Sequence, residues 1–419
     1  MYFTLTGINH HTAPIEMREK AAVNADALQA ALLKLRRHTQ HAIILSTCNR
    51  SEVYASGIHA GDIASSCAGY MRETLNMPAD GSAPHIYTSS GIELFRHLCS
   101  VACGLDSMVI GEYEVLGQVR QALAAAEKAG MVDLPLRHLF QAAIRTGRRA
   151  REETGISKNA LSISSIAVNK ALDIIPDIKK AKIIVIGAGE AGRLALRIAH
   201  SRDISNMVVV SRTQQRAIGL AEQYGARPVS PALLINELRD ADIVITCAAS
   251  PHPVLRCKQV GEAISRRHGL PLVILDIAMP RNVEPSVRDI PGVHLYNIDD
   301  LNDIAGEHRL ERETEVKAVE RIIGEEVALL TKWWQSYNAR PVIKSLMKKA
   351  ERIRSEQYGR SVKKLPALTV EERQAIDLLT RSIVDKILRA PIMFLKSGDG
   401  TDGSEAISRL FGLNDESES

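Results

Sequence analysis

The run Lys182-Ile-Ile-Val-Ile186 leads directly into Gly187-Ala-Gly-Glu-Ala-Gly192 and then into a helix-forming stretch over 191–202. No other segment restricts the fold so tightly. Consecutive β-branched residues read as a buried strand, and three glycines at this spacing between a strand and a helix form a dinucleotide-binding turn. The first glycine permits the tight turn, the second lets a pyrophosphate approach the backbone, and the third allows close helix packing. The helix N-terminus then stabilises the phosphates. Strands at 207–211, 242–246 and 272–276, with a helix at 214–224, predict a parallel, doubly wound sheet ending near residue 299. A glycine turn in some other α/β unit is the plainer alternative. An acid after the second strand would favour NAD. Here Val208-Val-Val210 ends in Ser211-Arg212, a hydroxyl and a guanidinium suited to a 2′-phosphate. The expected cofactor is therefore NADPH, held by Gly187, Ala188, Gly189, Glu190, Ala191, Gly192, Ser211 and Arg212. Against this stands an arginine that is merely solvated.

A chain of 419 residues is too long for this domain alone. It is 45% apolar, enough for real cores, and its net charge of +4 is too small to imply a polyanionic partner. Aromatics at 4% do not advertise base stacking. The N-terminus lacks the basic and apolar regions of a signal peptide, and no apolar run approaches the ~18 residues that span a bilayer. Cysteines 48, 67, 99, 103, 247 and 257 show no disulfide or CxxC spacing, so reduced thiols in the cytoplasm are expected.

Before the glycine loop, residues 2–9 and 41–46 read as strands, 51–55 as extended, and 25–37, 91–103, 113–129 and 134–153 as helices. Ser157 to Ser165 is polar and interrupts the pattern, and a short helix over 163–174 ends at Pro176. After residue 300, a single helix is predicted from Leu301 to about Asn338, stopped before Pro341. At 1.5 Å per residue it would be about 57 Å long. Val319, Ile323, Val327, Leu330 and Trp334 give it an apolar face that calls for a further surface, expected to be another subunit. Helices over 342–363 and 370–389 follow, the second opening on the capping box Thr369-Val-Glu-Glu372. Gly398 to Gly403 reads as loop, followed by an acidic tail.

Cys48 stands in Ser46-Thr-Cys-Asn-Arg50, at the end of a strand, where a turn would present a thiol to a large substrate. A cysteine after an apolar strand is ordinarily core. Polar neighbours argue otherwise, and Arg50 would favour the thiolate. Cys99 and Cys103 are four apart on a helix, and with His97 they suit a metal, but no second ligand cluster accompanies them; small core thiols are the better reading. His10 and His11 would line a site or simply end a strand. Arg145, Arg148, Arg149 and Arg151 form a basic helical stretch, either a solvated face or a phosphate contact. Lys344 to Arg354 is equally ambiguous.

Taken together, Gly7-Ile-Asn-His-His-Thr-Ala-Pro14, Ser46-Thr-Cys-Asn-Arg50, Gly104-Leu-Asp-Ser-Met-Val-Ile-Gly-Glu112, Leu116-Gly-Gln118 and Gly187-Ala-Gly-Glu190 resemble the glutamyl-tRNA reductase family. So do Asp276-Ile-Ala-Met-Pro-Arg281, Asn297-Ile-Asp-Asp-Leu301 and Ala390-Pro391. The resemblance covers nearly the whole chain. It implies a V-shaped homodimer of α/β class: a catalytic, glutamyl-tRNA-binding domain (1–155), a Rossmann-type NADPH domain (156–300), a long spinal helix (301–340) and an all-α dimerisation domain (341–419). It implies that a thiolate attacks the ester joining glutamate to the tRNA, that tRNA leaves, and that NADPH reduces the thioester to glutamate-1-semialdehyde for tetrapyrrole synthesis. Cys48 matches the nucleophile, and His97 matches a histidine that positions groups or transfers a proton. Thr47, Asn49, Arg50, Ser107, Glu112 and Gln118 match substrate contacts, Arg50 facing the γ-carboxylate.

The family usually has Gly-Glu-Pro-Gln where this chain has Gly111-Glu112-Tyr113-Glu114. An ionised Glu114 can only accept hydrogen bonds and would repel an anionic substrate, so the substrate contacts of Tyr113 and Glu114 are open. Docking of the aminotransferase that consumes the aldehyde, tRNA identity elements and haem feedback are not legible. Two other readings compete: an NADPH dehydrogenase of a small polar metabolite, independent of Cys48, and a nucleotide-sensing interaction protein. The intact Cys48 argues against the second.

Overall fold

The computed structural model describes residues 1–77, 84–107, 109–157, 163–175, 177–265, 267, 271–301, 313–397 and 401–413. They divide into two units, Met1–Gly324 and Glu325–Ser419.

The first unit carries two sheets. Strands β1 (Tyr2–Asn9), β2 (His41–Ser46), β3 (Arg50–Gly57) and β4 (Tyr87–Ser90) form an antiparallel sheet in the order β2-β3-β1-β4. Among its helices are α1 (Ile15–Ala21), α2 (Leu28–Leu35), α3 (Ala60–Leu75), α4 (Gly91–Cys103), α5 (Glu114–Lys128) and α6 (Leu134–Glu153). Helix α6 starts where Asp133 accepts a hydrogen bond from the Leu136 amide (2.9 Å), with Pro135 in its first turn. Cys99 and Cys103 are fully buried on α4, consistent with core thiols.

After α7 (Ile163–Ile174) the chain enters a six-stranded parallel sheet. It comprises β5 (Ile183–Ile186), β6 (Met207–Val210), β7 (Arg227–Val229), β8 (Ile243–Thr246), β9 (Leu272–Asp276) and β10 (Val293–Asn297). The order β10-β9-β8-β5-β6-β7 reverses direction between β5 and β8, which opens a crevice at their carboxyl ends. Helices α8 (Glu190–Ser201), α9 (Gln214–Tyr224), α10 (Leu234–Leu238) and α11 (Cys257–Ile264) connect the strands. Strands β5, β6, β8 and β9 are buried on both faces, as expected for a doubly wound sheet. One of its cores also takes in Val109 from the N-terminal part of the chain.

The helical region departs from expectation. Helix α12 runs unbroken from Glu313 to Lys364 with Pro341 inside it, about 78 Å if straight. The segment 302–312 lies outside the described residues, as do the polar stretch 158–162 and the acidic tail 414–419. An internal proline costs about 3 kcal/mol. Here Ala339, Val342, Ile343 and Leu346, on both sides of Pro341, pack into one cluster with Leu388, Leu395 and Ile407. Tertiary burial therefore carries the helix through the proline. Likewise α13 (Val370–Ser397) passes Pro391 between Leu388 and Leu395, and residues 401–403, expected as loop, begin α14 (Thr401–Leu410). The capping box forms: the Thr369 amide donates to Glu372 Oε2 (2.8 Å) and the Glu372 amide to Thr369 Oγ1 (3.2 Å).

Of the expected stripe, Val319, Ile323, Val327 and Leu330 are already buried in the single chain, while Trp334 is half-buried. The open apolar face lies on α13 instead, where Leu379, Ile383, Ile387 and Phe394 are exposed at helical spacing opposite the buried Leu388 and Leu395.

Candidate active site

Strands β2 and β3 are joined by Thr47-Cys48-Asn49, closed by the Thr47 amide donating to the Arg50 carbonyl (2.8 Å). This hairpin holds Cys48 at its tip. The thiol is half-buried rather than open, packed with Ile15, Ile163, Met279 and Ile298. Its S–H donates to Asn49 Oδ1 (3.4 Å). Burial, followed by the charges of Glu112 and Glu114, pushes the Cys48 thiol well above its ordinary range. The expected activation by Arg50 is absent from this arrangement. Arg18 is the nearby cation, donating from Nη1 to the Cys48 carbonyl (3.1 Å).

Arg50 is enclosed because β3 is buried on both faces from Arg50 to Ser56. Residues 50, 52 and 54 share one of those faces. The Arg50 guanidinium, 2% exposed, donates from Nη1 to Glu52 Oε1 (3.1 Å) and Asp106 Oδ2 (2.8 Å), and from Nη2 to the Asp106 carbonyl. Glu52 has no exposed surface, yet it receives hydrogen bonds from Tyr54 (2.6 Å) and Tyr87. His97 Nε2 lies 2.8 Å from Glu52 Oε1 and its Nδ1 lies 3.7 Å from Asp106 Oδ2. Burial opposes the charge on Glu52, but His97 and Arg50 outweigh it and hold the carboxyl below its usual range. His11 approaches Asp106 (3.6 Å) and lies tilted against His10, which burial and His11 lower to about 4. Both ring nitrogens of His97 thus face carboxylates. Glu52, Tyr87 and Asp106 were missed from the sequence. Only Glu52 had a local signal, Arg50-x-Glu52-x-Tyr54, with two opposite charges on one face of a strand.

The other expected substrate residues gather elsewhere in the same unit. Glu112, Tyr113, Glu114 and Gln118 line a cleft of about 760 Å³, faced across it by Glu190, Arg193 and Arg197 of α8. Ser107 hydrogen-bonds the Glu112 carboxyl, but burial dominates and raises Glu112 to about 7. Burial and then Glu190 raise Glu114 as well, and its buried Oε1 has no hydrogen-bond partner. A carboxyl driven toward its neutral form carries an O–H donor. That weakens the expected repulsion: burial disfavours the anion at 114.

The basic stretch of α6 also reads differently in three dimensions. Arg151 points inward, donating to the carbonyls of Ala102 (2.9 Å), Gly147 (2.7 Å) and Glu112 (2.8 Å). Arg148 and Arg149 face Glu152 (3.9 Å) and Glu153 (2.8 Å) of their own helix. In the second unit, Arg354 is buried against Glu351 and Asp377.

The glycine loop has the shape its motif requires. At Gly187, with φ of +124°, a Cβ would meet the Cys247 backbone at 2.8 Å, and at Gly192 one would lie 2.2 Å from the Gly187 carbonyl oxygen. At Gly189 nothing lies within 4 Å, which leaves room for a ligand to approach. These are the packing, turn and approach roles of the three positions. Gly187, Ala188, Gly189, Ser211 and Arg212, with Arg216 and Cys247 to Ser250, line a cavity of about 380 Å³ at the β5/β8 switch point. Arg212 Nη2 donates to the Ala249 carbonyl (2.9 Å) across its mouth. Glu190 is paired with Arg193, and Ala191 and Gly192 lie within the first turn of α8.

Comparison with known proteins agrees along the chain. A family model described as the N-terminal domain of glutamyl-tRNAGlu reductase matches residues 6–154, one described as shikimate/quinate 5-dehydrogenase matches 169–304, and the dimerisation domain of glutamyl-tRNAGlu reductase matches 318–413. The glutamyl-tRNA reductase of Natranaerobius thermophilus is 36% identical over 425 residues, covering 99% of this chain and 93% of that protein. That of Syntrophotalea carbinolica is 37% identical over 427 residues, covering 100% of this chain and 96% of that protein. Among solved structures, the glutamyl-tRNA reductase of Methanopyrus kandleri is similar at 31% identity with a TM-score of 0.52, over 98% of this chain and 99% of that one.

Proposed function

The chain belongs to the glutamyl-tRNA reductase family, and from that premise we propose that it reduces the glutamyl ester of glutamyl-tRNA to glutamate-1-semialdehyde through a thioester on Cys48. The observation that carries the mechanism is a single thiol at a hairpin tip, packed against residues of the nucleotide-binding domain. Cys48 attacks the ester carbonyl; the C–O bond to the tRNA breaks, and the thiol proton passes to the departing ribose oxygen. Asn49 holds the S–H before attack. Glu112, a carboxyl whose charge Cys48 feels and which burial raises to about 7, is suited to relay that proton. His97 is a positioning residue in this reading: with Glu52 it fixes Arg50 and Asp106 beneath the hairpin. Bound NADPH supplies the hydride that reduces the acyl group. The loop 187–192 would hold its pyrophosphate, and Ser211 and Arg212 its 2′-phosphate.

The match of the dimerisation-domain model and the open stripe on α13 support a homodimer. No helix among the described residues is long and apolar enough to cross a membrane, and we place the reaction in the cytoplasm. Docking of an aminotransferase remains a proposal drawn from the instability of the aldehyde.

Incubation with glutamyl-tRNA and no NADPH should leave glutamate on the peptide that contains Cys48, read by mass spectrometry. Adding NADPH should discharge it as the aldehyde. Cys48→Ser should lower turnover by ~10³-fold or more, as removal of a nucleophile does elsewhere. A Cys48→Ser enzyme with substantial activity would eliminate the thioester.

A further inference from the structure

Two motifs remain unused by this account: Asp276-Ile-Ala-Met-Pro-Arg281 and Asn297-Ile-Asp-Asp-Leu301. Both belong to the nucleotide-binding domain, yet neither lines its cofactor cavity. We propose that they form a charged clamp, Arg281 on Glu19 and Asp299 on Arg18, which docks the nucleotide-binding domain onto the helix beside Cys48 and positions the acyl group for reduction. The inference rests on the thioester reading above.

The geometry is specific. Arg281 donates to Glu19 three times: from its amide to Oε1 (2.7 Å), from Nε to Oε1 (2.8 Å) and from Nη2 to Oε2 (2.8 Å). Glu16 lies 3.2 Å from the same Nη2. Arg18, 4% exposed, donates from Nη2 to both oxygens of Asp299 (2.5 and 2.7 Å), from Nε to the Ala13 carbonyl (3.2 Å) and from Nη1 to the Cys48 carbonyl (3.1 Å). One guanidinium therefore joins the backbone of the nucleophile to a carboxylate of the other domain. Forked, charge-assisted bonds of this kind fix direction as well as distance.

The remaining motif residues build the jaws. Asp276, at the end of β9, accepts from Thr246 Oγ1 (2.6 Å) and from the amides of Ala278 (3.2 Å) and Val283 (2.9 Å), shaping the turn that presents Arg281. Asn297 Oδ1 accepts from the amides of Asp299 (2.8 Å) and Asp300 (3.1 Å), which fixes Asp299 at the end of β10. Between the jaws, Met279 and Ile298 pack with Cys48 and Ile15. The clamp thus covers the thiol. A tRNA-borne ester needs that cover lifted, whereas reduction needs it in place.

Arg281→Ala and Asp299→Asn test this without substituting any residue of the hairpin or Arg18. Three readouts are taken on the full-length protein: the rate of Cys48 alkylation by iodoacetamide with no ligand present, the rate of glutamyl-enzyme formation without NADPH, and the rate at which pre-formed glutamyl-enzyme is reduced in a single turnover. Alkylation should rise, glutamyl-enzyme formation should hold or rise, and reduction should fall by ~10-fold or more, the scale expected when reacting groups lose alignment. Arg281→Lys keeps the charge but not the fork, so it should recover part of the reduction rate. If acylation and reduction fall in proportion, or alkylation and reduction are both unchanged, there is no clamp. Should wild-type Cys48 carry no glutamate, the thioester reading fails, and the alkylation rates still decide whether the two motifs cover the thiol.

Discussion

The glycine loop and the cysteine hairpin are both turns that follow a buried strand, but they are built in opposite ways. The loop 187–192 works through its own backbone: its glycines serve local packing and leave an open approach at Gly189. The hairpin 47–49 supplies a thiol whose environment comes from remote residues: Arg18, Glu52, His97, Asp106, Glu112, Met279 and Ile298. A site made of backbone tolerates its surroundings. A site made of buried charges depends on every partner.

The largest expected effect tests that dependence. Glu52→Gln removes the one fully buried carboxylate that Arg50 and His97 share, leaving a buried guanidinium with less compensation. Breaking such a pair costs about 3–5 kcal/mol. The melting temperature should fall markedly, and turnover should drop more than the folded fraction explains. An enzyme with wild-type stability would show that the network is not what holds the hairpin. By contrast, Arg212→Ala should leave stability nearly unchanged, because that side chain is exposed. Its effect is confined to the cofactor: kcat/KM for NADPH should fall ~10–100-fold, the range for a lost charged hydrogen bond, while NADH changes little. Equal use of both cofactors by the wild type would remove the 2′-phosphate assignment.

The same contrast decides what was legible. Parallel strands, glycine loop and capping box were readable because each is a short-range pattern. Cys48 was locatable for the same reason. The direction of Arg50 was not: polar neighbours suggested exposure, whereas β3 is buried on both faces and the partners of Arg50 and Glu52, Asp106 and His97, lie more than 40 positions away in the chain. Pro341 misled in the same manner. Its local signal says stop, and only the packing of Ala339, Val342 and Leu346 against α13 and α14 overrules it.

A smaller effect concerns pH. Burial raises both Glu112, to about 7, and Glu114, and each disfavours ionisation of the other or of Cys48. A carboxyl raised in the folded state contributes stability fully present below its unfolded pKa, lost as pH rises through the folded value. Wild-type melting temperature should therefore decline as pH rises from about 5 through about 7, the value of Glu112, and KM for glutamyl-tRNA should rise with pH as Glu114, whose ionisation burial opposes, is driven to its anion. Glu114→Gln keeps a donor at every pH. Its KM should stay flat and its melting curve should lose part of the slope. An unchanged pH profile in Glu114→Gln would mean that position 114 does not face the substrate.

The smallest effect is expected from α6, where sequence alone suggested a phosphate-binding stretch. Arg151 is spent on three backbone carbonyls, and Arg148 and Arg149 each have a glutamate one turn away. Such i,i+4 pairs are worth only about 0.3–0.5 kcal/mol, so they do not by themselves hold an arginine away from a phosphate. They do lower what the face offers a polyanion, since each of these arginines that turns to the tRNA leaves a carboxylate behind. Replacing Arg148 and Arg149 with alanine should weaken tRNA binding by no more than ~3-fold and change the slope of log affinity against log salt by less than ~1, where two full phosphate contacts would change it by ~1.4 to 1.8. Binding isotherms at several salt concentrations measure both quantities. A loss of slope at the full value would return the tRNA to α6; the small loss expected here directs the search to Lys344 and Lys348 on α12, whose neighbours Lys349 and Arg354 are already committed, the first to the Gly412 carbonyl and the second to Glu351 and Asp377.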